Sequence, residues 1–148
     1  MTYGYDSSEP NLTVSVGPDT WPTLSELAAH LGYRQTRGAT AGQGSVSALA
    51  RALADAARYN GVHKTATKLR WIADYTADRP PDRERRDHRL LVGDHLPHLR
   101  SLARTLDLVA TRSTTTGKGS VSALLEALAA AAHSDPEAIA RRLKWLAN

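Results

Sequence analysis

The chain has 148 residues and no cysteine, so disulfide bonds and thiolate metal sites are excluded. Lys and Arg number 19 against 15 Asp and Glu, and the resulting formal net charge of +4 favours a polyanionic partner, although a solvated basic surface explains it equally well. No apolar run approaches membrane-spanning length, and residues 1–10 do not resemble a signal peptide. We therefore expect a cytoplasmic protein that makes no membrane contact.

One segment of the sequence occurs twice. The eight residues Gly42–Leu49 return as Gly117–Leu124 with seven identities, 75 positions later. This repeat predicts two copies of one unit, residues 11–76 and 87–148, joined by an exposed polar linker at 77–86. Because a unit of about 60 residues buries little surface alone, the two copies are expected to share one core.

Each copy is predicted to begin with a strand. Apolar and polar residues alternate over Asn11–Val16, which is typical of a strand with one covered face. The corresponding segment, Asp87–Gly93, predicts a weaker strand in which Leu90 and Val92 face the core and Leu91 falls on the polar face.

Three helices are predicted after each strand. The first has apolar residues at helical spacing, and the second begins at Ser45 or Ser120, which are natural N-caps. Loops rich in Gly, Thr and Arg, residues 34–44 and 112–119, separate these two helices. A third, shorter helix ends each copy.

This order of strand, helix, loop and helix, with a glycine-rich approach to a Ser-x-Ser helix start, resembles the ribbon-helix-helix family of DNA-binding proteins over residues 11–58 and 87–132. The resemblance implies a mainly α fold with a short two-stranded antiparallel ribbon, here a tandem pseudo-dimer with an extra C-terminal helix per repeat. In that family the ribbon lies in the major groove while the second helix contacts a phosphate with its N-terminus.

The resemblance also implies which side chains would read the bases. They are the outward residues of the two strands: Asn11, Thr13, Ser15 and Arg89. Arg can form two hydrogen bonds with guanine, Asn can do so with adenine, and Thr or Ser can bond either base. The same residues would also suit an ordinary solvent-facing ribbon.

The two helix starts have an independent physical interpretation. Free N–H groups and the positive end of the helix dipole attract anions, and the glycines before each serine remove side chains that would block a phosphate. The predicted phosphate-binding residues are Arg34, Arg37, Gly44, Ser45, Arg112, Lys118, Gly119 and Ser120. A plain cap and turn would explain the serines but not the basic loops.

The third helices carry basic residues beside a tryptophan. This secondary patch comprises Lys64, Lys68, Trp71, Arg142 and Trp145. Cations beside aromatic rings suit phosphate contact and base stacking. A tryptophan repeated in both copies could equally seal one half of the molecule against the other, or against a second chain.

Sequence-specific binding of double-stranded DNA is the function predicted, by a transcriptional repressor or a mobile-element accessory factor that can form a homo-oligomer. The inter-helix loops are longer than the short turn of the family. A helix-turn-helix regulator, suggested by Thr23–Gly32, is an alternative. The long loop argues against it more strongly than against the ribbon-helix-helix fold, because the motif needs a tight turn to position its recognition helix. Alternatives from other classes are a helical protein–protein adaptor and a phosphate-ester enzyme that uses the glycine-rich loops.

Catalytic signals are poor. No nucleophile with a paired base is visible, so we expect no enzyme activity and no cofactor. His95 and His98 could contact one metal ion, but Thr20 and Thr23 occupy those positions in the first copy. We therefore expect no metal site.

Overall fold

The structure is a computed structural model that describes residues 12–34, 43–75, 86–108, 120–133 and 135–147. The fold is mainly helical with a small two-stranded antiparallel sheet, which confirms the predicted fold class at this level. None of the helices in these ranges is long and apolar enough to cross a membrane.

Both copies have the same order of major elements. The first contains β1 Leu12–Val16, α1 Thr20–His30, α2 Val46–Asn60, α3 Val62–Leu69 and a 3-10 helix at Arg70–Tyr75. The second contains β2 Arg86–Leu90, a 3-10 turn at Gly93–His95, α4 Leu96–Thr105, α5 Val121–Ala132, α6 Pro136–Arg142 and a 3-10 helix at Lys144–Ala147. The second strand thus begins at Arg86, the last residue of the predicted linker.

The sheet pairs one strand from each copy. Thr13 lies opposite Arg89, and Val14 lies opposite His88. The predicted inward residues are buried, namely Val14, Val16, Leu90 and Val92. Leu91 is 45% exposed, as its position on the polar face predicts. Alternation with period two therefore assigned the two faces correctly.

Helices α2 and α5 begin at the predicted N-caps. The Ser45 hydroxyl accepts a hydrogen bond of 3.1 Å from the Ala48 N–H, and the Ser120 hydroxyl accepts one of the same length from the Ala123 N–H. Each bond satisfies one of the first-turn N–H groups that have no acceptor within the helix.

The helices of each copy pack against those of the other copy. Helix α1 contacts α5 and α6, and α4 contacts α2 and α3. The buried leucines form one cluster drawn from both copies, including Leu24, Leu49, Leu53, Leu99, Leu124 and Leu128. Both copies therefore contribute to a single hydrophobic core.

Helices α1 and α4 end in the same way with different residues. Gly32 has φ +87° and Asp107 has φ +63°, and the next residue in each case donates its N–H to a carbonyl five positions earlier. A backbone of this kind favours glycine, because a side chain is strained at positive φ. The first copy uses the favoured residue and the second does not.

Asp107→Gly is therefore expected to raise the free energy of unfolding by about 0.5–1 kcal/mol, and Gly32→Asp to lower it by about the same amount. Urea unfolding followed by circular dichroism measures both. A destabilising Asp107→Gly would contradict the explanation from backbone strain.

Candidate nucleic-acid interface

The outer face of the sheet carries exposed polar side chains. Thr13 and Arg89 lie directly opposite each other across the two strands, and both are exposed, as is Asp87. Ser15 pairs with Asp87 through the backbone, while Asn11 lies outside the described residues. Two of the four predicted base-reading residues are thus neighbours on one solvent-facing surface.

An aromatic contact attaches the ribbon to α1. The rings of His88, on the inner face of β2, and Trp21, in α1, stack with their centroids 4.2 Å apart and their planes 6° from parallel. Burial lowers the pKa of His88, and the nearby Asp87 carboxylate opposes this effect. The neutral imidazole is therefore favoured beneath the ribbon.

The start of α2 lies beside the end of β2. The Leu91 N–H donates to the Ser47 hydroxyl oxygen over 2.9 Å, and the Arg51 guanidinium donates to the Leu91 carbonyl. The N-terminus of a helix in the first copy is thus bound to the ribbon strand of the second. Sequence reasoning missed this contact, although Ser47 is one of the serines repeated in both copies.

His95 contributes to the same junction. Its Nε2 lies 3.1 Å from Asp55 Oδ1 on α2, and its Nδ1 lies 3.0 Å from the Val92 carbonyl oxygen. Both ring nitrogens therefore have partners within the fold. Within the described ranges, no group of three His, Cys, Asp or Glu residues could hold a metal ion.

Gly44 is placed by packing against α1. Its backbone pairs with Arg34, and its carbonyl accepts a hydrogen bond of 3.1 Å from the Ser25 hydroxyl. A Cβ atom at position 44 would lie 1.7 Å from the Ser25 carbonyl oxygen. The missing side chain makes room for the backbone of α1, a packing requirement that the sequence did not suggest for this glycine.

The remaining predicted phosphate-binding residues are only partly described. Arg34 is exposed at the beginning of the inter-helix loop, and Ser45 and Ser120 cap their helices. The others lie outside the described residues, namely Arg37, Arg112, Lys118 and Gly119.

The structure brings the secondary patch together across the two copies. Arg142 Cζ lies 3.8 Å from the centroid of the Trp71 ring, and Lys68 Nζ lies 4.9 Å from that of Trp145. Each tryptophan is thus covered by a cation of the other copy. Lys64 is exposed one helical turn before Lys68.

A cleft of about 480 Å³ runs along α2 and has a different chemical character. Its lining includes Arg51, Asp55, Tyr59 and Trp145, so one basic and one acidic side chain face the same space. Tyr33 also lines it, and burial, with a smaller contribution from Asp55, raises the pKa of this tyrosine. With its charges balanced, the cleft fits a phosphate less well than the ribbon or the tryptophan patch.

Comparisons with protein-family models, with curated proteins and with solved structures found no match for this chain. We therefore infer the function from the geometry of the exposed surfaces.

Proposed function

We propose that the chain binds double-stranded DNA sequence-specifically as a tandem ribbon-helix-helix-like pseudo-dimer, and that it acts as a transcriptional repressor or a mobile-element accessory factor. In this proposal the ribbon enters the major groove and the N-termini of α2 and α5 face phosphates. The observation that carries the proposal is the antiparallel ribbon of one strand from each copy, buried on one face and polar on the other. A two-stranded ribbon is narrow enough for the major groove.

The packing between the copies supports the pseudo-dimer. The contacts of α1 with α5 and α6 are matched by those of α4 with α2 and α3, and the two cation–π contacts are matched in the same way. Equivalent contacts made in both directions are what an approximate two-fold axis produces. Such an axis would pass through the ribbon near the Thr13 and Arg89 pair.

The position of α2 supports the phosphate contact. Ser47 and Arg51 bind the backbone of Leu91, one residue beyond β2, so the first turn of α2 lies at the edge of the ribbon. A ribbon in the groove would bring the DNA backbone close to this helix start, where the dipole and the N–H groups favour an anion.

The outer face predicts an asymmetric site. Thr13 in the first copy and Arg89 in the second occupy matching positions but have different chemistry. The two halves of the bound sequence should therefore differ, with a guanine favoured on the side of Arg89.

The test uses a duplex selected by the protein from a random pool. Arg89→Ala is expected to weaken binding to this duplex by about 1–3 kcal/mol and to relax the preference at one base position, while binding to scrambled duplexes changes little. Quantitative shift assays measure both, with circular dichroism as the folding control.

Arg58→Ala is the matched control, because it removes the same charge from an exposed position near the other end of α2. That helix has 15 residues and is therefore about 22 Å long, so Arg58 lies far from the start of α2 beside the ribbon. If Arg89→Ala and Arg58→Ala both bind the selected duplex as the parent does, the ribbon does not read DNA. A duplex affinity that does not fall as the salt concentration rises would favour the protein–protein adaptor instead.

A further inference from the structure

A second surface of the molecule is strongly basic. It is formed by α3, α6 and the 3-10 helices that follow them, and we call it the third-helix surface. Its exposed cations are Lys64, Lys68, Arg70, Arg141, Arg142 and Lys144. The sequence has no acidic residue between Asp55 and Asp74 or after Glu137. The Glu137 carboxylate is paired with Arg141, with Oε1 and Nη1 3.6 Å apart. The positive charge of these segments is thus largely uncompensated by neighbours in the chain.

Two of these cations are held in place by aromatic rings. The Trp145 ring supports the Lys68 ammonium of the other copy. The Trp71 ring supports the Arg142 guanidinium of the other copy, and its indole N–H donates to the Lys68 carbonyl over 2.9 Å. Stacking on a ring face leaves the N–H donors in the plane of the guanidinium available to an anion. A cation that is already positioned loses less conformational entropy when it binds a phosphate.

The third-helix surface lies on the opposite side of the molecule from the ribbon if the proposed two-fold axis holds. Lys68, Trp71, Arg142 and Trp145 exchange contacts between the copies, so they surround that axis. The ribbon crosses the same axis with its outer face in solvent. The group around the axis and the outer face of the ribbon both carry exposed residues, while the inner face of the ribbon is buried in the core. The core therefore lies between them, and the third-helix surface and the ribbon must lie at opposite ends of the axis.

We propose that the third-helix surface binds the phosphate backbone of a second DNA duplex, so that one chain bridges two duplexes. This inference rests on the proposed function of the ribbon. A phosphodiester backbone suits exposed, positioned cations. A lipid surface suits them less, because Trp71 and Trp145 are half-buried and each has a cation against its ring, so neither ring is free to insert.

The test is a bridging assay in which the protein retains a labelled duplex on beads that carry the selected duplex. The parent is expected to retain the label, and the Lys68→Gln/Arg142→Gln double variant to retain about tenfold less, because it loses two phosphate contacts. Binding of the double variant to the selected duplex alone should remain close to the parent's in a shift assay. Circular dichroism confirms that the variant is folded.

Arg100→Gln/Arg104→Gln is the matched control, because it removes two exposed charges from α4 and leaves the third-helix surface intact. This variant should bridge as the parent does. Tryptophan fluorescence adds a direct readout, since two of the three tryptophans belong to the third-helix surface. Their emission should change as a second equivalent of duplex binds, and that change should be absent from the Lys68→Gln/Arg142→Gln variant.

The bridging proposal is overturned if the parent binds one duplex but retains no label, or if the parent and the Lys68→Gln/Arg142→Gln variant bridge equally well. Equal losses of bridging in this variant and in the Arg100→Gln/Arg104→Gln control would also overturn it. So would binding of the third-helix surface to phosphatidylserine vesicles in place of a duplex. The proposed function fails separately. If Arg89→Ala behaves as the parent while Lys68→Gln/Arg142→Gln loses all duplex binding, the ribbon is not the reading surface and the third-helix surface is the DNA contact.

Discussion

Gly44→Ala is expected to lower the free energy of unfolding by about 3 kcal/mol or more. The added Cβ would lie 1.7 Å from the Ser25 carbonyl oxygen and 2.8 Å from the Ala29 nitrogen, and both are backbone atoms of α1. No side-chain rotation relieves such a contact, so the loop must move away from the helix. That movement breaks the Ser25–Gly44 hydrogen bond and the pairing of Gly44 with Arg34.

Gly61→Ala is the matched control. An added Cβ at Gly61 would meet no atom within 4 Å, so only the backbone strain of a side chain at φ +97° opposes the substitution. The expected loss is about 1 kcal/mol. Urea unfolding of the two variants separates steric clash from backbone strain, and equal losses would contradict the close approach at Gly44.

The expected clash at Gly44 also bears on the role of the Gly-x-Gly-Ser segment that precedes both α2 and α5. The Ser45 N–H donates to the Tyr33 carbonyl over 2.7 Å, and the Ser120 N–H donates to the Leu108 carbonyl over 2.8 Å. The serine that caps the second helix is thus bound in the same way in both copies. Loss of DNA binding after substitution of Gly44 would report misfolding, so phosphate contact is better tested at Arg34 or Lys118.

Most local features of the fold could be predicted from the sequence. N-caps at Ser45 and Ser120 and the faces of both strands follow from residue types and spacing within a few positions. The end of β2 did not follow. The prediction extended this strand to Gly93, because the Val92-Gly93 pair was aligned with the Val16-Gly17 pair of the first copy. The structure ends it at Leu90, which pairs with Leu12 at the start of β1, and the backbone of Leu91 binds α2.

Contacts between the copies could not be predicted, because they depend on how distant segments pack. The helical spacing placed Trp71 on one face with Lys64 and Lys68, yet the ring of Trp71 is covered by Arg142 of the other copy. Arg51 donates to the Leu91 carbonyl, whereas the matching position in the repeat is Glu126, whose ionised carboxylate cannot donate in this way. Periodicity identifies which residues share a face, and only the assembled core determines what that face meets.

Leu53→Ala and Leu128→Ala are each expected to lower the free energy of unfolding by about 2–5 kcal/mol. These leucines occupy matching positions in α2 and α5, and they are 1% and 0% exposed. Truncation of either leaves a cavity in the cluster to which both copies contribute. Leu91→Ala, at a position that is 45% exposed, is the control and should change stability by less than about 0.5 kcal/mol.

The form of the transition matters more than the size of the loss. Because α1 packs on α5 and α6 while α4 packs on α2 and α3, neither copy can keep its core when the other unfolds. Each leucine variant should therefore show one transition, with the same midpoint by far-UV circular dichroism and by tryptophan fluorescence. Two independent copies would instead give a second transition that remains at the parent's midpoint, since the unmutated copy would be unaffected. A single shifted transition in both variants is the result that a shared core requires, and the proposed contact of the ribbon with one DNA groove depends on that core, because each copy supplies one strand.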